Sequence, residues 1–177
     1  MIRISIAAAL ALVLAPVGQA QAEKLKVTLS GYQEVPASLA SAGSGEFEAE
    51  IREERDGPRI VWQLSYNGGF SSPVTQAHIH FGQRHTNGGI SIFLCSNLPN
   101  PPAGTQACPP GPATIEGEAA ATNVIGPATQ LIPAGDIEKV IAAIRAGVAY
   151  VNIHTVTFPG GEVRDQFADN AGAGHRH

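Results

Sequence analysis

Of the six histidines, His78 and His80 are separated by a single residue within the run Gln76, Ala77, His78, Ile79, His80, Phe81. A third, His154, closes the run Tyr150, Val151, Asn152, Ile153, His154. An extended strand turns alternate side chains to opposite faces, so His78 and His80 project together with Gln76, while Ala77, Ile79 and Phe81 form the apolar face. The same parity groups Tyr150, Asn152 and His154 against Val151, Ile153 and Thr155. If the two strands pair, three imidazoles meet on the solvent-facing side of a sheet, outside the core. Three neutral imidazoles suit copper or zinc, because borderline cations take nitrogen donors, and a fourth position stays open for water or substrate. His85, in the turn that follows, could supply a fourth ligand. The same rings can instead hydrogen-bond to neighbouring side chains or carbonyls and never meet a metal. His175 and His177, near the C-terminus, could bind metal adventitiously.

Around this constellation stand candidates for support. Glu162 and Arg164 alternate in phase on a late strand and read first as a solvated cross-strand pair, worth less than about 1 kcal/mol. Placed beside the histidines they would, with Asn152, orient the ligands instead. Glu34 is open to either reading. The chain has no G-x-S-x-G elbow, no H-E-x-x-H helix, no lone reactive cysteine and no close carboxylate pair in a glycine-framed loop. The catalytic reading that remains is a metal-dependent redox activity through His78, His80 and His154. Gly43 and Gly45 precede a strand rather than a helix, so they form no phosphate loop.

The elements that must hold these residues are mostly strands. Leu25, Val27 and Leu29 share one face of a first strand; Phe47, Ala49 and Ile51 share one face of a second, with Glu46, Glu48 and Glu50 opposite. A turn at Asp56, Gly57 and Pro58 leads to a strand over Arg59 to Tyr66, with Trp62 and Tyr66 on its core side. Further strands are expected over Val74 to Phe81, Ile90 to Cys95, Ala113 to Ala121, Val148 to Thr155 and Glu162 to Phe167. One segment has helical spacing: Asp136 caps Ile137, Val140, Ile141 and Ile144, with Arg145 in the last turn and Gly147 beyond. Short strands with turn signals and a single helix predict an all-β fold, an antiparallel sandwich or Greek-key barrel.

The chain opens with Arg3, an apolar stretch to Ala15, and small residues at Ala20, Gln21, Ala22. That pattern predicts a secretory signal over residues 1–22, cleaved after Ala22 and too short for a transmembrane helix. Cleavage removes Arg3 and no acid, so the net charge of −4 becomes −5. An acidic chain is a poor partner for nucleic acid or anionic membrane, and no second apolar run suggests membrane insertion. One domain is expected over residues 23–168, with a disordered tail over 169–177. The two cysteines, Cys95 and Cys108, meet an oxidising compartment after export and are expected to pair across a proline-rich loop, although free or metal-bound thiols fit the sequence as well.

Four motifs stand in an order that resembles the CHRD, or chordin-type, domain family. They are Leu29 to Pro36 (L-x-G-x-x-E-V-P), Ala77 to His80 (A-H-I-H) with Gly82, Asn87 and Gly89 after it, Ala149 to Thr155 (A-Y-V-N-I-H-T), and Pro159 to Gln166 (P-G-G-E-V-R-x-Q). Asp165 stands where the family has glycine, which puts a tight backbone approach there in doubt. The resemblance implies an exported β domain, periplasmic or extracellular, of the kind found in chordin, an antagonist of growth factors, and in many microbial proteins. An H-x-H strand with a later histidine also resembles, locally, the copper site of copper/zinc superoxide dismutases, although their zinc loop has no counterpart here. The expectation is a binding module for a protein or small ligand that holds copper or zinc. The alternatives are a redox enzyme of superoxide-dismutase-like fold and a structural envelope or matrix component.

Overall fold

The computed structural model describes residues 22–169, so the expected signal before Ala22 and the tail beyond Asp169 lie outside the described residues. Eight strands and one α-helix follow in the order β1 (Glu23–Ser30), β2 (Ser44–Glu54), β3 (Gly57–Tyr66), β4 (Val74–Phe81), β5 (Gly89–Ser96), β6 (Ala113–Ala119), α1 (Ile137–Arg145), β7 (Ala149–Thr155) and β8 (Val163–Gln166). All pairings are antiparallel, in one sheet of order β5-β4-β7-β8-β1-β2-β3-β6 that curls into a nearly closed barrel. The all-β class with one helix is therefore as the alternation of apolar residues requires.

Register follows from the buried side chains. Val27 faces Phe47, and Leu25 faces Ala49, so the apolar parity of β1 and β2 coincides and their charged residues face outward together. Phe47 stacks on Trp62 at 6.3 Å and meets Phe167 edge-on at 5.8 Å, which ties β2, β3 and the segment after β8 into one core. Ile79, Val151 and Ile153 bring β4 and β7 into the same cluster. Helix α1 adds Ile137, Val140, Ile141 and Ile144; the Asp136 carboxylate accepts the Lys139 amide at 3.1 Å, and Gly147 leaves the helix at φ 65°.

Strands β5 and β6 are the two ends of the strand order, and Val124 bridges to Ile92 on the outer edge of β5. Between them runs the loop closed by the Cys95–Cys108 disulfide, with no free cysteine among the described residues. Asn97 fastens its base by donating to the carbonyls of Val74 and Cys108, and the Tyr66 hydroxyl donates to the Pro109 carbonyl at 2.6 Å. Some boundaries differ from the sequence reading. Gly57 and Pro58 belong to β3, opposite Glu54 and Glu53, because Gly57 takes φ 116° and lets the turn close two residues earlier. Asp169 was expected in a disordered tail, yet it bridges to Ala146 at the helix exit.

Candidate metal centre

Strands β4 and β7 are neighbours, with His78 opposite Asn152, His80 opposite Tyr150 and Gln76 opposite His154. Parity then puts all three imidazoles on the outer face of the sheet, where one ring nitrogen from each lies within 4.8 Å of the others. That face is not wet. His78, His80 and His154 are 0%, 6% and 5% exposed, because the turn after β4, the 156–162 loop and the segment after β1 fold over it. The sequence reading placed the histidines in solvent because strand parity says which way a side chain points and nothing about what a distant loop lays on top.

The hydrogen bonds fix the tautomers. A carbonyl only accepts, so His80 Nδ1 carries a proton for Gly88 O at 3.0 Å, and His154 Nδ1 carries one for Pro159 O at 3.0 Å. His154 Nε2 is therefore a lone pair, and His78 Nδ1 lies 3.1 Å from it as its donor. The consequence is that each ring keeps its proton on Nδ1 and a lone pair on Nε2. Nε2 of His78 and Nε2 of His80 are buried without any partner. Burial, then the neighbouring His154 and His80 rings, push His78 down to about 2. Burial pushes His80 down to about 3 and His154 to about 4. All three are neutral at physiological pH, the form that binds metals. An ion with bonds near 2.0–2.1 Å needs its donors roughly 3.3–3.6 Å apart, so the rings would close by about 1 Å.

A layer of larger side chains frames the rings. Phe93 of β5 meets His78 edge-on at 4.3 Å. Tyr150 stacks on His80 at 4.7 Å with 3° between the planes, and the Arg164 guanidinium sits 3.6 Å over the Tyr150 ring. The Gly88 amide donates to the Tyr150 hydroxyl at 3.0 Å, so Gly88 holds His80 and its stacking partner at once. Asn152 donates to Glu34 at 2.6 Å and to the Val163 carbonyl. Burial pushes Glu34 up to about 7. Gly161, at φ 128°, passes so near that a Cβ there would stand 2.5 Å from Asn152 Oδ1 and 2.9 Å from Glu34 Oε2.

The supporting pair differs from its sequence reading. Glu162 and Arg164 are both buried and do not bond to each other, so no solvated ion pair forms. Glu162 precedes β8 and accepts from Ser41 Oγ, Ser71 N, Ser71 Oγ and Thr155 Oγ1 at 2.6–2.9 Å. Burial raises its pKa, but those donors together hold it below the ordinary carboxylate value. Arg164 donates to Thr86 O at 3.1 Å and Asn87 Oδ1 at 3.4 Å, in the turn that covers His80. His85 is exposed at φ 67° and stands outside the triad, since the turn spends its inward contacts through Gly88. Asp165 lies within β8, where its carboxylate takes the Gln166 amide and faces Arg84 at 3.4 Å. Tyr150 shares the parity of Asn152 and His154 and was legible on that ground. Phe93, Glu34 and Gly161 reach the layer only through the fold.

The four motifs singled out in the sequence thus build one layer, with Glu34, the H-x-H pair, Tyr150, Asn152, His154, Gly161, Glu162 and Arg164 packed together. The CHRD domain family model matches residues 25–167. The chain belongs to the CHRD domain family. No curated protein and no solved structure matches it. The match spans the whole described barrel, from β1 to the segment after β8, so the buried polar layer is part of this CHRD domain rather than an appendage to it. Among the described residues no helix is long and apolar enough to cross a membrane.

Proposed function

We propose that this CHRD domain is an exported binding module whose His78, His80 and His154 hold one copper or zinc ion. The observation that carries the reading is the pair of buried, partnerless Nε2 atoms of His78 and His80, in a cluster where one ring nitrogen of each of the three histidines lies within 4.8 Å of the others; His154 would exchange its 3.1 Å hydrogen bond with His78 Nδ1 for the ion. A buried acceptor left unmade costs roughly 1–3 kcal/mol, and two in one cluster call for a shared partner. An ion answers both, while the carbonyls of Gly88 and Pro159 hold the opposite ring nitrogens as ligand supports commonly do. The test is elemental analysis of untagged full chain carrying His175→Ala and His177→Ala, loaded with copper or zinc and dialysed. One equivalent of metal is expected, falling to background in His80→Ala; no retained metal in the parent would overturn the reading.

Export is supported by the leader-like start of the chain and by the disulfide, which suits an oxidising compartment. Mass spectrometry of protein recovered outside the cytoplasm should find a chain beginning at Glu23. A retained leader would contradict it. The partner surface we favour is the disulfide loop from Cys95 to Cys108, which carries Leu98 42% exposed next to Asn97, the residue that ties down its base. Exchanging residues 96–107 for a neutral linker should abolish partner binding, and unchanged binding would exclude the loop. A binding or structural role is favoured over redox turnover because the rings lie beneath the covering loops, where a substrate has no direct approach.

A further inference from the structure

We infer that the ion held by the triad is monovalent, three-coordinate copper, Cu(I), in preference to Zn(II) or Cu(II). The inference rests on the metal-binding reading above and adds the identity of the ion.

Its first support is the donor set. Among the described residues the group holds three histidines and no carboxylate or thiolate, so every ligand is neutral. Both cysteines are committed to the disulfide. A divalent ion would thus bring two uncompensated charges into a buried place, and the cost of burying charge rises with its square. The second support is the coordination number. Zinc takes four ligands, a water included where the protein supplies three. Here the group has no fourth histidine, cysteine or carboxylate among the described residues, the rings are buried, and the apolar Phe93 ring packs edge-on against His78 at 4.3 Å. Cu(I), a d10 ion with no demand for a fourth ligand, is content with three imidazoles in a plane.

The third support is a fixed positive charge. Strand order puts Tyr150 of β7 between His80 of β4 and Arg164 of β8. The stack of 3.6 Å and 4.7 Å sets the guanidinium roughly 8 Å from the His80 ring. At an effective dielectric near 20, one extra unit of charge on the ion at that distance weakens binding about thirtyfold. Glu162, a buried carboxylate of the layer, is turned to Ser41, Ser71 and Thr155 rather than to the rings. Arg164 therefore discriminates against divalent ions through Tyr150 without touching the metal.

The experiment is a pair of competition titrations on the untagged full chain carrying His175→Ala and His177→Ala. Cu(I) is titrated anaerobically against a chromophoric cuprous chelator, and Zn(II) and Cu(II) against chelators of known affinity for each. One equivalent of Cu(I) should bind, with Cu(II) and Zn(II) each held at least about thirtyfold more weakly. Arg164→Gln should narrow that preference; if this variant does not fold, the comparison of ions on the parent chain decides alone. Zinc or Cu(II) bound as tightly as Cu(I), and lost in His80→Ala, would leave the metal site standing and overturn the cuprous assignment. Binding of none of the three ions would overturn both.

Discussion

At the scale of single residues, the site depends on groups that hold the ligands as much as on the ligands. Gly161 is the sharpest case. Its φ of 128° and its approach to Asn152 and Glu34 leave no room for a methyl group. Gly161→Ala should cost at least roughly 1–3 kcal/mol from backbone strain alone. It should also displace Asn152, whose strand carries His154 two residues on, and so weaken metal retention. Parallel urea melts and metal analyses of the two proteins check this; a variant with unchanged stability and unchanged metal content would remove Gly161 from the account. The histidine parity and the identity of the three rings were legible in the sequence, because alternation along β4 and β7 needs no knowledge of the loops. Burial was not, since it depends on Gly88, Pro159 and Gly161 arriving from segments with no periodicity of their own.

At the scale of elements, strands β4 and β7 present the rings, and three irregular segments roof them. The disulfide loop plays a different part, spanning the side where β5 and β6 fail to meet. Replacing Cys95 and Cys108 with alanine should destabilise the protein by roughly 3 kcal/mol through the freed unfolded chain. For a domain of this size that lowers Tm by about 6–12 °C, readable by calorimetry, while metal content stays as in the parent. Loss of metal in the folded double variant would tie the loop to the site, against this reading. Strand and helix positions were legible from apolar alternation and from the Asp136 cap. The pairing order was not: β8 joins β1 through the single pair Ser30 and Arg164, a contact with no local sequence signal.

At the scale of the whole molecule, the barrel carries two layers of buried groups, an apolar interior and a polar layer outside β4, β7 and β8. The polar layer makes stability depend on pH. In the unfolded chain histidine titrates near 6.5, whereas in the metal-free fold burial holds His78, His80 and His154 at about 2, 3 and 4. Between those values the unfolded chain binds more protons, so the three rings cost stability as pH falls from about 6.5 towards 4. Glu34 runs the other way, since its folded pKa of about 7 exceeds its unfolded value of 4.5 and its contribution fades as pH rises through that window. Three groups outweigh one, so metal-free protein should lose stability from pH 7 to pH 5 in denaturant titrations. A flat or rising profile would mean the rings are not buried neutral. The family membership was legible from four short motifs, and the fold explains why they travel together: they build one layer.

The most direct measurement of the central claim is X-ray absorption at the metal edge, on metal-loaded full chain carrying His175→Ala and His177→Ala. The account predicts a first shell of imidazole nitrogens with the outer scattering of histidine rings, absent when His78, His80 and His154 are all replaced by alanine. A shell of oxygen donors, or an unchanged spectrum in the triple variant, would place the metal elsewhere and leave the three histidines as a buried polar layer without a ligand.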